Sequence, residues 1–142
     1  MDKINWSDKY SVQIPSIDEQ HKKFLDLLNR LNSELVIETD PVKHSRLLKL
    51  MLTEFEDYAL YHFIYEEEHF IMYDYPGAKE HILAHDGFRI KINQLITEVN
   101  TPGADIFRIS KELAEYSLGW IETHLENMDK DYIDCFKSHH MK

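Results

Sequence analysis

The stretch from His62 to His85, HFIYEEEHFIMYDYPGAKEHILAH, holds two pairs of side chains able to bind a metal, His62 with Glu66 and His81 with His85. The members of each pair are four residues apart. On an α-helix that spacing puts both side chains on one face, about one turn apart. Tyr75-Pro76-Gly77 lies between the pairs and breaks the helix, so two helices folded back on each other would aim four ligands at one centre. Three further residues could join them: His21 upstream, and His124 and Asp129 downstream. Imidazole suits iron, zinc and copper, while a carboxylate can bridge two ions. Two bridging carboxylates and five imidazole nitrogens would not fill two six-coordinate ions, and the ion with fewer imidazoles would keep an open position. A small ligand such as dioxygen needs such a position.

Positioning these residues requires helices, and the apolar spacing predicts four. The first starts near Ile17-Asp18, with Asp18 as N-cap, and carries Phe24, Leu25, Leu27, Leu28, Leu31 and Leu35 at three-to-four spacing. Thr39-Asp40-Pro41 separates it from the second, with Pro41 suited to a first helical position. The second spans about 42–73, the third about 78–99 and the fourth about 105–134, with Asn100-Thr101-Pro102-Gly103 as the last turn. Short connections between long helices predict an all-α, antiparallel up-down-up-down four-helix bundle. Residues 1–16 read as an N-terminal arm that lies across a helix and buries Trp6 and Tyr10. Residues 17–134 form the bundle and 135–142 a C-terminal tail.

Composition narrows the classes. At 142 residues the chain fits one domain with a sizeable core. A net charge of −10 without a basic stripe argues against nucleic acid as a partner. The polar start MDKINWSDKY is unlike a secretion signal, and no apolar run approaches membrane-spanning length. One cysteine, Cys135, excludes an intramolecular disulfide and fits a reducing compartment, so a cytoplasmic location is expected. It reads either as a small buried residue or as a free thiol. Nine histidines are many for so acidic a chain, and a metal centre would account for most of them.

Three segments taken together, WSDKYSVQIPSIDEQH, HFIYEEE with YPGAKEHILAH, and WIETHLENMDKDY, resemble the hemerythrins, most closely their single-domain bacterial form. The resemblance runs through nearly the whole chain in order. It implies a non-haem diiron centre, with His81, His85 and His124 on a coordinatively filled iron and His21 and His62 on an iron with an open site. Glu66 and Asp129 would bridge the two ions beside a solvent-derived oxo or hydroxo bridge. It further implies reversible binding of dioxygen as a bound hydroperoxide at the open iron, in a carrier or store rather than an enzyme. Trp120 and Ile121, with Phe63 and Tyr132 at positions matching family aromatics, are the candidates for lining the ligand pocket; packing in the core is the competing role for all four.

Other readings stay open on sequence. An oxygen- or redox-sensing module would need a protein partner. A diiron enzyme would consume dioxygen, peroxide or nitric oxide, although carboxylate-rich diiron bundles carry a Glu-x-x-His motif on each of two helices and this chain has that spacing only once, at Glu66 and His69. Zinc would satisfy the spacing as well. His124 and Asp129 are five apart, which on a regular helix separates them by about 140°, so a π-type widening or a distorted turn is expected there. His69 stands where the bacterial family usually carries an apolar residue, within EEEHF rather than a stretch like EEALM. It suits either a solvent-gating role or a place at the bundle end near solvent. His44, His139 and His140 are expected at the surface or in the tail. Within Glu66-Glu67-Glu68, all but Glu66 are expected on a solvated face.

Overall fold

A computed structural model describes residues 3–142; the first two residues of the expected arm lie outside them. Four long helices form a bundle: α1 (Pro15–Arg30), α2 (Pro41–Met72), α3 (Ala78–Val99) and α4 (Ile106–Glu126). A π-helical turn, Leu31–Leu35, extends α1, and a short helix α5 (Ile133–Ser138) follows α4. No strand occurs among the described residues, and no helix is long and apolar enough to cross a membrane.

The helix boundaries follow from local chemistry. Pro41 occupies the first turn of α2, and the Asp40 carboxylate accepts from the Lys43 amide at 2.9 Å. Asp105 caps α4 in the same way through the Arg108 amide. α1 begins earlier than expected, at Pro15, because a proline is preset for the first helical position. Asp18 is therefore not the N-cap. It sits in the first turn and ties down the arm, accepting from the Val12 amide at 2.8 Å and the Ser11 hydroxyl at 2.6 Å. The α2–α3 break falls where Tyr75-Pro76-Gly77 predicts. Asp74 adopts a left-handed φ of 51° and the Tyr75 amide reaches back to the Phe70 carbonyl, which closes the end of α2.

The arm packs on the bundle. Tyr10, Val12 and Ile14 are buried and Trp6 is half-buried, while Asn29 exchanges two hydrogen bonds with the backbone of Ile4. The main core includes Phe24, Leu28, Phe55, Phe63, Phe88, Leu95 and Leu113. A smaller core at one end joins Val12, Ile14, Ile17, Phe70, Tyr132 and Phe136. Along α2, Glu66 lies between Phe63 of the first core and Phe70 of the second.

Three further expectations need correction. α4 does not run to residue 134: it ends at Glu126, and Met128–Tyr132 winds as a 3₁₀ turn. The tail expected from 135 is helical to Ser138, and the fully buried Phe136 holds it down by stacking on Tyr132 at 4.3 Å. His44 is buried rather than exposed. Its Nδ1 pairs with the Glu38 carbonyl at 2.8 Å and its Nε2 with the Ser110 hydroxyl at 2.6 Å, so both ring nitrogens are satisfied inside the protein. His139 and His140 are exposed.

Phe136 thus supports the turn that carries Asp129. Phe136→Ala is expected to destabilise the protein by about 3–5 kcal/mol, the usual cost of emptying a buried aromatic site. Urea denaturation of the metal-free protein measures this, and an unchanged midpoint would contradict the role given to α5.

Candidate metal centre

All seven sequence-selected ligands converge in the interior. His21, His85, Glu66 and Asp129 have no exposure, and His62, His81 and His124 have at most 5%. Their donor atoms form two overlapping groups, each with all atoms within 4.8 Å of one another. One holds His81, His85, His124, Glu66 and Asp129; the other holds His21, His62, Glu66 and Asp129. The two carboxylates belong to both groups and the histidines divide three and two.

The division is visible atom by atom. Asp129 Oδ1 lies 2.9 Å from both His81 Nε2 and His124 Nε2, while its Oδ2 lies 3.0 Å from His21 Nε2. Glu66 Oε1 lies 3.0 Å from His62 Nε2 and 3.4 Å from His85 Nε2. Each carboxylate therefore faces both sets. The 3₁₀ turn after Glu126 makes this possible for Asp129. A regular helix would carry it off the inner face, but the chain leaves the α-helix at Asn127, with φ −114° and ψ −73°, and the turn that follows re-aims Asp129 beside His124. The structure thus chooses the distorted turn over a π-type widening.

The side chains around the ligands fix their orientation. His62 Nδ1 pairs with Gln20 Oε1 at 2.6 Å and His85 Nδ1 with Glu67 Oε2 at 2.7 Å. With those protons assigned to Nδ1, each Nε2 presents a lone pair to the centre. The Tyr132 hydroxyl donates to Glu66 Oε2 at 2.5 Å. Sequence reasoning missed Gln20, which adjoins His21, and placed Glu67 on a solvated face. That placement is corrected: Glu67 turns inward because His85 and Arg89 both donate to it. The i,i+1 neighbour of a ligand is readable as a partner only once the opposing helix is in place.

The pocket candidates separate in the same way. Phe63 stacks on His85 with ring centres 3.9 Å apart and planes 8° apart, and Trp120 stacks on His124 at 4.2 Å and 13°. Tyr132 touches the cluster through its hydroxyl, whereas Ile121 is a buried member of the main core. Phe24 and Phe70, not selected from sequence, pack against His62 and His81 at 5.3 and 4.8 Å. His69 is half-buried, bonds the Tyr65 carbonyl through Nδ1 and packs on Tyr65, Tyr73 and Phe136.

The donors fit a pair of cations. Glu66 Oε1 and both Asp129 oxygens are buried without a hydrogen bond, although imidazole nitrogens surround them. Buried anions facing nitrogen lone pairs at these distances call for positive charge between them. In the metal-free protein protons supply part of it. Burial alone would lower His85, but the facing carboxylates of Glu66 and Glu67 outweigh it and push the imidazole up to about 9. Burial holds His62 and His124 below the ordinary histidine range. Burial would raise Glu66 and Asp129, yet the surrounding imidazoles keep both well below the usual carboxylate range.

Two outcomes are expected. Because His85 titrates near 9 when metal-free, its proton contributes stability at acidic pH that fades as pH rises through about 9. A metal must displace that proton, so adding divalent metal at pH 7.5 in weak buffer should release about one proton or more per chain, and affinity should rise with pH. A pH indicator dye reads this, and no release would contradict it. Second, Glu66→Ala should fail to hold two metal ions per chain. Elemental analysis showing two in the variant would refute the shared role of Glu66.

Comparison with known proteins agrees with this geometry. The hemerythrin HHE cation binding domain matches residues 12–136. The chain is 28% identical to bacteriohemerythrin of Clostridium acetobutylicum over 130 residues, 91% of this chain and 98% of that protein. It is 28% identical to bacteriohemerythrin of Stenotrophomonas maltophilia over 134 residues, 94% of this chain and 82% of the relative. A hemerythrin-like protein of Naegleria gruberi shares 25% over 129 residues, 91% and 90% of the two chains. With the match spanning every element that brings a donor to the buried cluster, the chain belongs to the hemerythrin family.

Proposed function

We propose that this protein holds two iron ions in the buried cluster and binds dioxygen reversibly beside His21 and His62, as a carrier or store. The carrying observation is the three-to-two division of the histidines around shared carboxylates. His81, His85 and His124 fill one position, while His21 and His62 leave the other short of a nitrogen ligand. A pair of ferrous ions supplies the two electrons that such binding borrows and returns.

The chain's own residues favour release over further reaction. Five imidazoles, neutral as ligands, and only two carboxylates stabilise high oxidation states less than a carboxylate-rich set would. Phe24, Phe63, Phe70 and Trp120 surround the histidines with apolar surface and keep water away. Tyr132 is the nearest hydroxyl to Glu66. Burial raises its phenol well above the ordinary value, so it keeps its proton on Oη and serves as a fixed donor to Glu66. Gln20 and Glu67 lock the rings of His62 and His85. These are features of a site that holds a ligand rather than one that processes it.

The test is reconstitution with ferrous iron under anaerobic conditions, followed by cycles of air and its removal with the visible spectrum recorded. A charge-transfer band that appears with air and fades on its removal over repeated cycles is expected. Conversion to an inert ferric form on first exposure would overturn reversible carriage and favour a sensor or an oxygen-consuming enzyme.

A further inference from the structure

The acidic run on α2 holds a carboxylate outside the ligand set. Glu67 Oε2 accepts the His85 Nδ1 proton at 2.7 Å, and the same oxygen accepts from Arg89 Nη2 at 2.9 Å. Arg89 Nη1 is anchored on Asp86 at 2.8 Å, and the guanidinium lies over the Phe63 ring, 5.2 Å from its centre. Phe63 in turn stacks on His85. The Glu67 and Arg89 side chains are only 17% and 24% exposed, so solvent screens the pair weakly. His62 differs: its Nδ1 faces Gln20, a neutral amide. One histidine on the two-histidine side is thus backed by a neutral acceptor, and one on the three-histidine side by an anion that an arginine partly neutralises.

An anion accepting the Nδ1 proton pushes electron density toward Nε2 and makes it a stronger donor. A stronger donor favours the higher oxidation state of the ion it binds. A cation on the same carboxylate oxygen withdraws part of that density. We propose that Glu67 and Arg89 act through His85 as an opposed pair setting the reduction potential of the ion held by His81, His85 and His124, Glu67 lowering it and Arg89 raising it. The inference rests on the two-iron reading above. It gives a reversible carrier a means of keeping its potential low enough to lend electrons and high enough to recover them, using residues that touch neither ion.

Spectroelectrochemistry of the iron-loaded protein, with Glu67→Gln, Arg89→Met and the double variant, tests it. Gln keeps the size and an acceptor oxygen of Glu67, and Met keeps the apolar stem over Phe63. Glu67→Gln should raise the potential and Arg89→Met should lower it. In the Glu67→Gln background Arg89→Met should have no effect, because the arginine acts through the carboxylate. In a separate chelator competition, Glu67→Gln should weaken Zn²⁺ binding about 10- to 100-fold, while Arg89→Met should not weaken it. Potential shifts of the same sign in the two single variants would overturn the proposal, as would an Arg89→Met shift of equal size in both backgrounds. If the wild type takes up no pair of irons, the two-iron reading fails, and the Zn²⁺ comparison still decides whether Glu67 strengthens His85 as a donor.

Discussion

Glu66 and Asp129 lie at the centre of the bundle with no access to water, and each faces imidazoles from more than one helix. Taking a carboxylate out of water costs several kcal/mol unless positive charge or hydrogen bonds replace what the solvent supplied. Here three of the four oxygens have no hydrogen bond. The charge between them must therefore come from protons on histidine or from metal, and metal suits the donor arrangement better. Much of the fold follows from that constraint. Four helices are needed to present five imidazoles, aromatic rings are needed to keep water out, and the end of α4 must deform to turn Asp129 inward.

The outer contacts show how the centre is kept in order. Each carboxylate is reached from several helices, so a shift of one helix changes several carboxylate–imidazole distances together. Gln20, Glu67 and Tyr132 hold His62, His85 and Glu66 by short hydrogen bonds. The arm adds to this from outside: Asp18 fixes Val12, and Val12 and Ile14 close the small core that contains Tyr132 and Phe136. Packing at the end of the bundle thus reaches Glu66 through a single tyrosine hydroxyl.

Much of this was legible in the sequence, for identifiable reasons. Long apolar periodicity and few breakers marked the helices, and the i,i+4 pairs His62–Glu66 and His81–His85 marked faces that must point inward. The order and spacing of the remaining ligands matched the hemerythrin pattern. Residues whose role depends on a distant partner stayed hidden. Glu67 looked like a solvated acid, as Glu68 did, until His85 and Arg89 were seen to face it. His44 looked like a surface residue because Ser110, its partner, is 66 positions away. The break after Glu126 was signalled only by the five-residue gap between His124 and Asp129, and periodicity alone continued the helix through it. The helical tail depended on Phe136, a single aromatic with no repeat to announce it.

The central claim is that this buried cluster is one site for two ions with shared carboxylates. Anomalous diffraction at the iron edge from crystals of the iron-loaded protein tests it most directly. Two peaks are predicted, one among His81, His85 and His124 and one beside His21 and His62, with Glu66 and Asp129 touching both. A single peak, or iron bound elsewhere on the protein, would contradict the account.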